Sequence, residues 1–288
     1  MKPSHKKPLS IKNYEDKHNQ KGIELFTLSQ PKIDKNEYPS AILHLSPHKT
    51  SGVNLCPMAG NCSKLCLHFS GSKMYHNAKF KARIRKSLMF NDDKNSFMHL
   101  VIFNICHLYK KKNIKNIRLN GTSDINFIDL KISIDSALSS FIFQRYNIHL
   151  CVGNYENVFD LFLSNNIDLN FYDYTKVISI EKIKKAKLFK YDLCFSFDGW
   201  SNSENLQGCD LSLKNGVRVS ACFKNVKKDQ PFKKEIRFLN HFLPIVDGDL
   251  HDEIYKHSNY CLLGLRYKRV QSHKVKEEYI NNFCIDTI

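Results

Sequence analysis

The chain has 288 residues, a length that suits one large domain or two small ones and is enough to bury a sizeable core. Hydrophobic residues make up 42% and aromatic residues 12%, which excludes a disordered chain, and no apolar run approaches the roughly 20 residues that a membrane helix needs. The formal net charge of +16 points to a polyanionic partner, although 36 of the 44 basic residues are lysine in a chain also rich in Asn and Ile, the mark of an A+T-rich genome.

The N-terminus, MKPSHKKPLSIKNYEDKHNQKG, is charged and lacks the apolar stretch of a signal peptide, so a cytoplasmic location and no membrane partner are expected. Residues 1–38 read as a polar arm or lead-in with a short strand at IELFTLS, and 39–288 as a single α/β domain. The first strand proper is AILHLSP, Ala41 to Pro47, and CPMAGNCSKLC follows it.

Beyond that loop, HNAKFKARIRKSLMF and NSFMHLVIFNICHLYKK read as helices, with Phe80, Ile84 and Leu88, then Leu100, Phe103 and Ile105, at roughly helical intervals. NIRLNGTSD reads as a strand ending in a polar turn. Three helix-then-strand pairs come next: IDSALSSFIFQRY before HLCVGN, NVFDLFLSNN before DLNFYDYT, and ISIEKIKKAKLF before YDLCFSFDGWS. VRVSACF, FLPIVDGD and CLLGLRYK make the C-terminal part strand-rich. The alternation predicts an α/β fold with a mostly parallel sheet, either open and doubly wound or a full or partial (β/α) barrel. Both architectures put functional residues at the carboxyl ends of strands, where the polar turns and the cysteine loop fall.

Three of ten cysteines, Cys56, Cys62 and Cys66, share the loop in a C-x5-C-x3-C spacing. In a reducing compartment a clustered set points to metal binding or chemistry rather than disulfides. The other seven are scattered singly, mostly in apolar surroundings where Cys packs as a small hydrophobe. Structural zinc usually needs four ligands in two close pairs; here His68 is the nearest candidate for a fourth. Three thiolates can instead ligate three corners of a [4Fe–4S] cluster and leave the fourth iron to another ligand or a substrate. Pro57, Gly60 and Asn61 favour the turns that such wrapping needs. A set of inert or reactive thiols is the third reading.

Other strand ends carry polar clusters. In NGTSD, Asn120, Thr122, Ser123 and Asp124 suit either ligand contacts or a helix cap. In FDGWS, Asp198 and Ser201 flank Trp200, the chain's single Trp, which can stack on an adenine ring or cap the core. Tyr172 to Lys176 form a third such cluster, and VDGDLHD, with Asp247, Asp249, His251 and Asp252, reads as a divalent-cation site or, by its Asp-Gly, a hairpin turn. Between Lys73 and Arg118 there are 12 basic residues against 2 acidic ones. A basic helix near residues 76–90, with Lys79, Lys81, Arg83, Arg85 and Lys86, is therefore a candidate nucleic-acid surface.

CPMAGNCSKLC followed by a basic helix, then RLNGTSD, YDYTKV, FSFDGWSN, IVDGDLHD and GLRYK in that order, resembles the bacteriophage gene product 88 family from about Ala41 to Lys268. The resemblance implies a viral origin, hence a host-cell cytoplasm, and a suspected iron–sulfur cluster on the cysteine loop. The layout also resembles radical S-adenosylmethionine enzymes, whose three-cysteine loop after the first strand of a partial barrel holds a [4Fe–4S] cluster. Their usual loop is C-x3-C-x2-C, and this chain departs from it. Two expectations follow. One is an iron–sulfur enzyme, with Cys56, Cys62 and Cys66 on the cluster, S-adenosylmethionine as a candidate cofactor at Thr122, Trp200 and Ser201, and Asn120, Ser123, Asp124 and Asp198 as candidate catalytic groups for a small-molecule substrate. The other is a non-enzymatic nucleic-acid module stiffened by a cluster or zinc.

Overall fold

The computed structural model describes residues 25–30, 32–69, 76–270 and 275–286. The sequence reading of residues 1–24 as an arm and of the His68 side chain as a ligand lies outside the described residues.

Eleven strands are present among the described residues: β1 (Phe26–Thr27), β2 (Ser40–Leu43), β3 (Asn116–Arg118), β4 (Ile132–Ile134), β5 (Gly153–Tyr155), β6 (Asn170–Thr175), β7 (Tyr191–Ser196), β8 (Arg218–Phe223), β9 (Glu235–Phe238), β10 (His241–Asp247) and β11 (Leu262–Arg266). Nine of them form one sheet in the order β1-β2-β3-β6-β7-β8-β11-β10-β9. Neighbours from β2 to β10 pair in parallel, and only the edge strands β1 and β9 are antiparallel. The mostly parallel α/β sheet expected from the alternating pattern is what forms, with open edges rather than a closed barrel.

From β2 through β8 to β11 the strands lie in the order in which the chain makes them. A doubly wound sheet reverses direction at a switch point near its middle; here the steps from β2 to β8 all go one way, and the order reverses only near the far edge, where β11 is inserted between β8 and β10. Right-handed crossovers that step the same way, as those from β2 to β8 do, put their helices on the same face. Side-chain packing agrees: Leu43, Ile117, Phe171, Leu193, Phe195 and Val219 share one core with Leu100, Ile105, Leu138, Ile183, Cys209 and Leu213 of the helices. The alternate positions face the other way, where Tyr172, Cys194 and Leu263 form a separate small core with Ile254 and Cys261.

This second face carries only short helical pieces, Ile254–Lys256, Cys62–Leu65 and Glu277–Phe283, and it is concave. A cavity of about 330 Å³ is lined by Ile42 of β2 and by Leu265 of β11 together. Across a flat sheet those strands would stand five spacings, about 24 Å, apart. The sheet must curl to bring them around one chamber.

Local chemistry explains most of the crossovers. Asp93, Asp135, Asn157, Ser179 and Asn202 each cap a helix by accepting the backbone N–H three residues on. Asn113 and Asn147 end two helices in the left-handed conformation that Asn tolerates. HLCVGN is a correction: it adds no strand to the sheet. The Cys151 N–H is taken by Asn165 Oδ1 and the Leu150 carbonyl by Ser139 Oγ, so side chains satisfy this backbone. Only its last two residues pair, Gly153 and Asn154 opening β5, which joins β4 in a separate ribbon. VDGDLHD is a second correction, because β10 and β11 are parallel and the Asp-Gly turn joins no hairpin.

Candidate functional site

The cysteine loop leaves the carboxyl end of β2 and is fastened to the turn that follows β3. Gly121 N–H donates to the Leu43 carbonyl at 2.9 Å, Asp124 N–H to Leu55 at 2.8 Å, and Thr122 Oγ1 to Leu45 at 2.6 Å. Gly121 is required by this approach, since a Cβ there would stand 2.5 Å from both His44 Nδ1 and Ile42 Cγ2. On the other side the loop is held by Asp198, wholly buried after β7, whose carboxylate accepts the N–H groups of Asn61 and Cys62.

Cys62 and Cys66 line the cavity, with Cys222 on the inner face of β8 beside them. Cys56 lies behind, buried, its Sγ 3.8 Å from the Thr122 carbonyl, and burial pushes its thiol up to about 11. Cations attend the thiols. Lys176 at the end of β6 is raised: burial opposes its charge, but Cys62, Asp198 and Asp124 more than offset that. Arg83 is lowered by burial, with the Cys66 thiol opposing the shift.

Below the thiols Asp252, Tyr172 and Tyr174, each noted in the sequence, are joined by two cations that sequence reading did not single out, Arg118 and Lys32. Arg118 reaches Asp252 at 3.2 Å and lies 4.7 Å from the centre of the Tyr174 ring, while Lys32 holds the same Asp252 at 3.1 Å and Tyr172 donates to it at 3.2 Å. Burial raises Asp252, yet Arg118 and Lys32 leave it below the usual carboxylate range. Burial, together with Arg83 and Arg118, drives His44 down to about 2, so its ring is neutral. The signal was there to be read: parallel strands covered on both faces run almost continuously apolar, so Arg118 between Ile117 and Leu119, or Arg218 between two valines, marks an inward polar face.

The sequence candidates divide accordingly. Thr122 lines the cavity. Asn120 closes its own turn, Oδ1 accepting from Ser123 Oγ and from Ile125 N–H. Asp124 ties the turn to β6 by accepting from Thr175 Oγ1 and Lys176 N–H, both at 2.7 Å. Asp198 holds the cysteine loop. Trp200 and Ser201 are outside the chamber: Trp200 packs on Phe197 and Phe238, and Ser201 bonds Asn282 of the C-terminal helix. In VDGDLHD, Asp247 binds Arg266 through two 2.8 Å bonds and Asp249 accepts the Arg266 N–H. These carboxylates are matched by cations rather than grouped for a metal. On the basic helix, Lys86 donates to the Leu25 carbonyl and Arg83 faces the cavity, which leaves Lys79, Lys81 and Arg85 exposed.

Among the described residues no three His, Cys, Asp or Glu side chains stand close enough to share a metal ion. Cys62 and Cys66 therefore share one mouth, with Cys56 behind it, and the three thiols do not converge on one point. As a donor set they suit an iron–sulfur cluster: all are sulfur, they sit on one turn-rich loop, and cations stand beside them to balance thiolate charge. No described helix is long and apolar enough to cross a membrane.

Fold and site together define a mostly parallel α/β protein with a cation-lined chamber beneath a cysteine loop. The chain belongs to the Gene product 88 family, whose model matches residues 10–282. No curated protein and no solved structure matches it.

Proposed function

We propose that the chain is an iron–sulfur enzyme in which Cys56, Cys62 and Cys66 hold a [4Fe–4S] cluster over the chamber, and that a small-molecule substrate occupies the chamber itself. One observation carries the reading: two of the three loop thiols line a cavity of about 330 Å³, at the lower end of the range for small-molecule sites, at the carboxyl end of the sheet. A purely structural metal would need no such chamber beside it. Holding the cluster requires the three thiols to converge, and this movement is part of the proposal.

A cluster with one iron left open supplies single electrons to a bound cosubstrate such as S-adenosylmethionine. The protein's own part is to orient and to shield. Asp198 fixes the backbone at Cys62, and Lys176 and Arg83 balance the sulfur charge. The pairing of Arg118 with Asp252 gives the chamber a rigid polar floor.

The test is iron and acid-labile sulfide quantitation on protein purified without oxygen. About four of each per chain are expected, falling steeply in Cys62→Ala. Protein that stays colourless and free of iron after reconstitution would remove the reading. The rival, a nucleic-acid module, rests on exposed Lys79, Lys81 and Arg85. Three phosphate contacts would make log K fall against log salt with a slope of about −2.7 for duplex DNA.

A further inference from the structure

At the amino ends of β10 and β11, the opposite end of the sheet from the chamber, three side chains form a relay that the cysteine loop does not use. His241 opens β10, Asp210 lies on the helix Ser203–Lys214, and Tyr260 stands two residues ahead of β11. His241 Nε2 is 2.9 Å from Asp210 Oδ1, and its Nδ1 is 3.0 Å from the Tyr260 hydroxyl. The other Asp210 oxygen holds Lys214 at 2.7 Å. The imidazole is mostly buried while Tyr260 is 44% exposed, so the base is sheltered and the phenol is open to an incoming molecule.

The directions of the hydrogen bonds follow from the partners. Lys214 and His241 keep Asp210 below the usual carboxylate range, and an ionised carboxylate only accepts, so Nε2 carries the ring proton. In the neutral ring Nδ1 is then a bare acceptor, and the Tyr260 O–H donates to it. A hydroxyl bonded to a base that a third group orients is the arrangement that activates a weak nucleophile. The phenol is also held in place. Arg218, almost fully buried, donates to the carbonyls of His257 at 3.0 Å and Ser258 at 3.3 Å and to the Asn259 side chain, and Tyr260 N–H donates to Ser258 Oγ at 3.2 Å. An acyl carbon is the electrophile that fits. Phosphoryl transfer needs cations over the moving oxygens, and the cation of this group, Lys214, is paired with Asp210.

We infer that Tyr260 is a covalent acceptor site for an acyl group carried as an activated ester, with His241 as its base and Asp210 as the positioning residue. The phenol oxygen forms the new bond to the acyl carbon, and the ester C–O bond breaks. The phenol proton passes to His241 Nδ1 and leaves with the departing oxygen, so the ring ends neutral as it began. None of this requires a cluster on the cysteine loop.

The experiment treats the full chain with p-nitrophenyl acetate and reads acetylation residue by residue by peptide mass spectrometry. Tyr260 should acetylate about 10-fold or more faster than Tyr38, which is more exposed at 54% but has the weaker base Glu37 beside it in place of an imidazole. The Tyr260 rate should level off by about pH 8, since a neutral ring is all that the step needs, whereas the Tyr38 rate should keep rising toward the phenol range near pH 10. His241→Gln should remove the excess rate at Tyr260 and leave Tyr38 as it was. Asp210→Asn should cut the Tyr260 rate too, because an amide can turn its NH2 to the ring and put the proton on the wrong nitrogen. Equal rates at Tyr38 and Tyr260 overturn the inference, as does a Tyr260 rate that climbs with pH as that of Tyr38 does, or an unchanged excess in His241→Gln. The pH profile is read on the wild-type chain, so it decides the matter where a variant fails to fold.

Discussion

The Asp198 carboxylate accepts the backbone N–H of Cys62 at 2.8 Å, and its other oxygen accepts that of Asn61 at 2.9 Å. One buried side chain after β7 thus sets the backbone of a loop that leaves β2. Asp198→Ala strands two amides and should cost about 3 kcal/mol in urea unfolding, with Asp198→Asn costing less because it keeps one acceptor. Gly60→Ala should disturb the same contact, its Cβ falling 2.4 Å from Asp198 Oδ2. A loss under about 0.5 kcal/mol in Asp198→Ala would show that the loop is held elsewhere.

His44 gives the protein a pH dependence of known sign. Its ring is buried, bonded to Gln30 at 2.6 Å and faced by Arg83, Arg118, Lys86 and Asp252, and it titrates at about 2 when folded. The unfolded chain takes that proton near pH 6.5, so it binds more protons throughout the window between the two values. The stability that His44 contributes should be level above pH 6.5 and fall by about 1.4 kcal/mol for each unit below it, on top of the opposing slope from Asp173, whose folded value is raised to about 7. His44→Gln should remove its part of the slope between pH 6.5 and 5, and an unchanged slope in that variant would assign the effect to another group.

Arg118 and Asp252 should behave as a unit. Arg118→Met leaves a buried carboxylate short of its main partner and should destabilise by about 3–5 kcal/mol, while the double change with Asp252→Asn should recover part of the loss. Because the folded pKa of Asp252 is depressed, the stability it contributes is present above about pH 4 and lost as the pH falls through the folded value. Chemical denaturation of the four proteins at pH 7 and pH 3 reads both effects. Strict additivity at pH 7 would mean that the two side chains are not coupled.

Ser201 should be dispensable. Its hydroxyl accepts from Asn282 Nδ2 at 2.8 Å on the outer surface. Ser201→Ala should cost less than about 1 kcal/mol and leave iron content as it was. A loss of iron in this variant would place Ser201 itself at the site.

Why some elements were legible and others not follows from the range of the forces that make them. The helices around Leu100 and Ile183 show in the sequence because helical spacing and caps such as Asp93 and Ser179 are local. HLCVGN carries the same local strand signal as DLNFYDYT, yet distant side chains, Asn165 and Ser139, satisfy its backbone before a neighbouring strand can. Asn120, Ser123 and Asp124 were visible as a polar turn. Whether they meet a ligand or one another depended on Thr175 and Lys176, more than fifty residues on.

By itself the sequence determined the alternating helices and strands, the parallel sheet, the position of the cysteine loop at a strand's carboxyl end and the excess of positive charge. These depend on periodicity, turn chemistry and composition, which a linear pattern records. Tertiary structure decided that the strands from β2 to β8 run in chain order, so the long helices share one face and the other curls into a chamber. It also decided which charges meet there. Arg118 and Asp252 are separated by 134 positions, and only the closing of the sheet brings them to 3.2 Å.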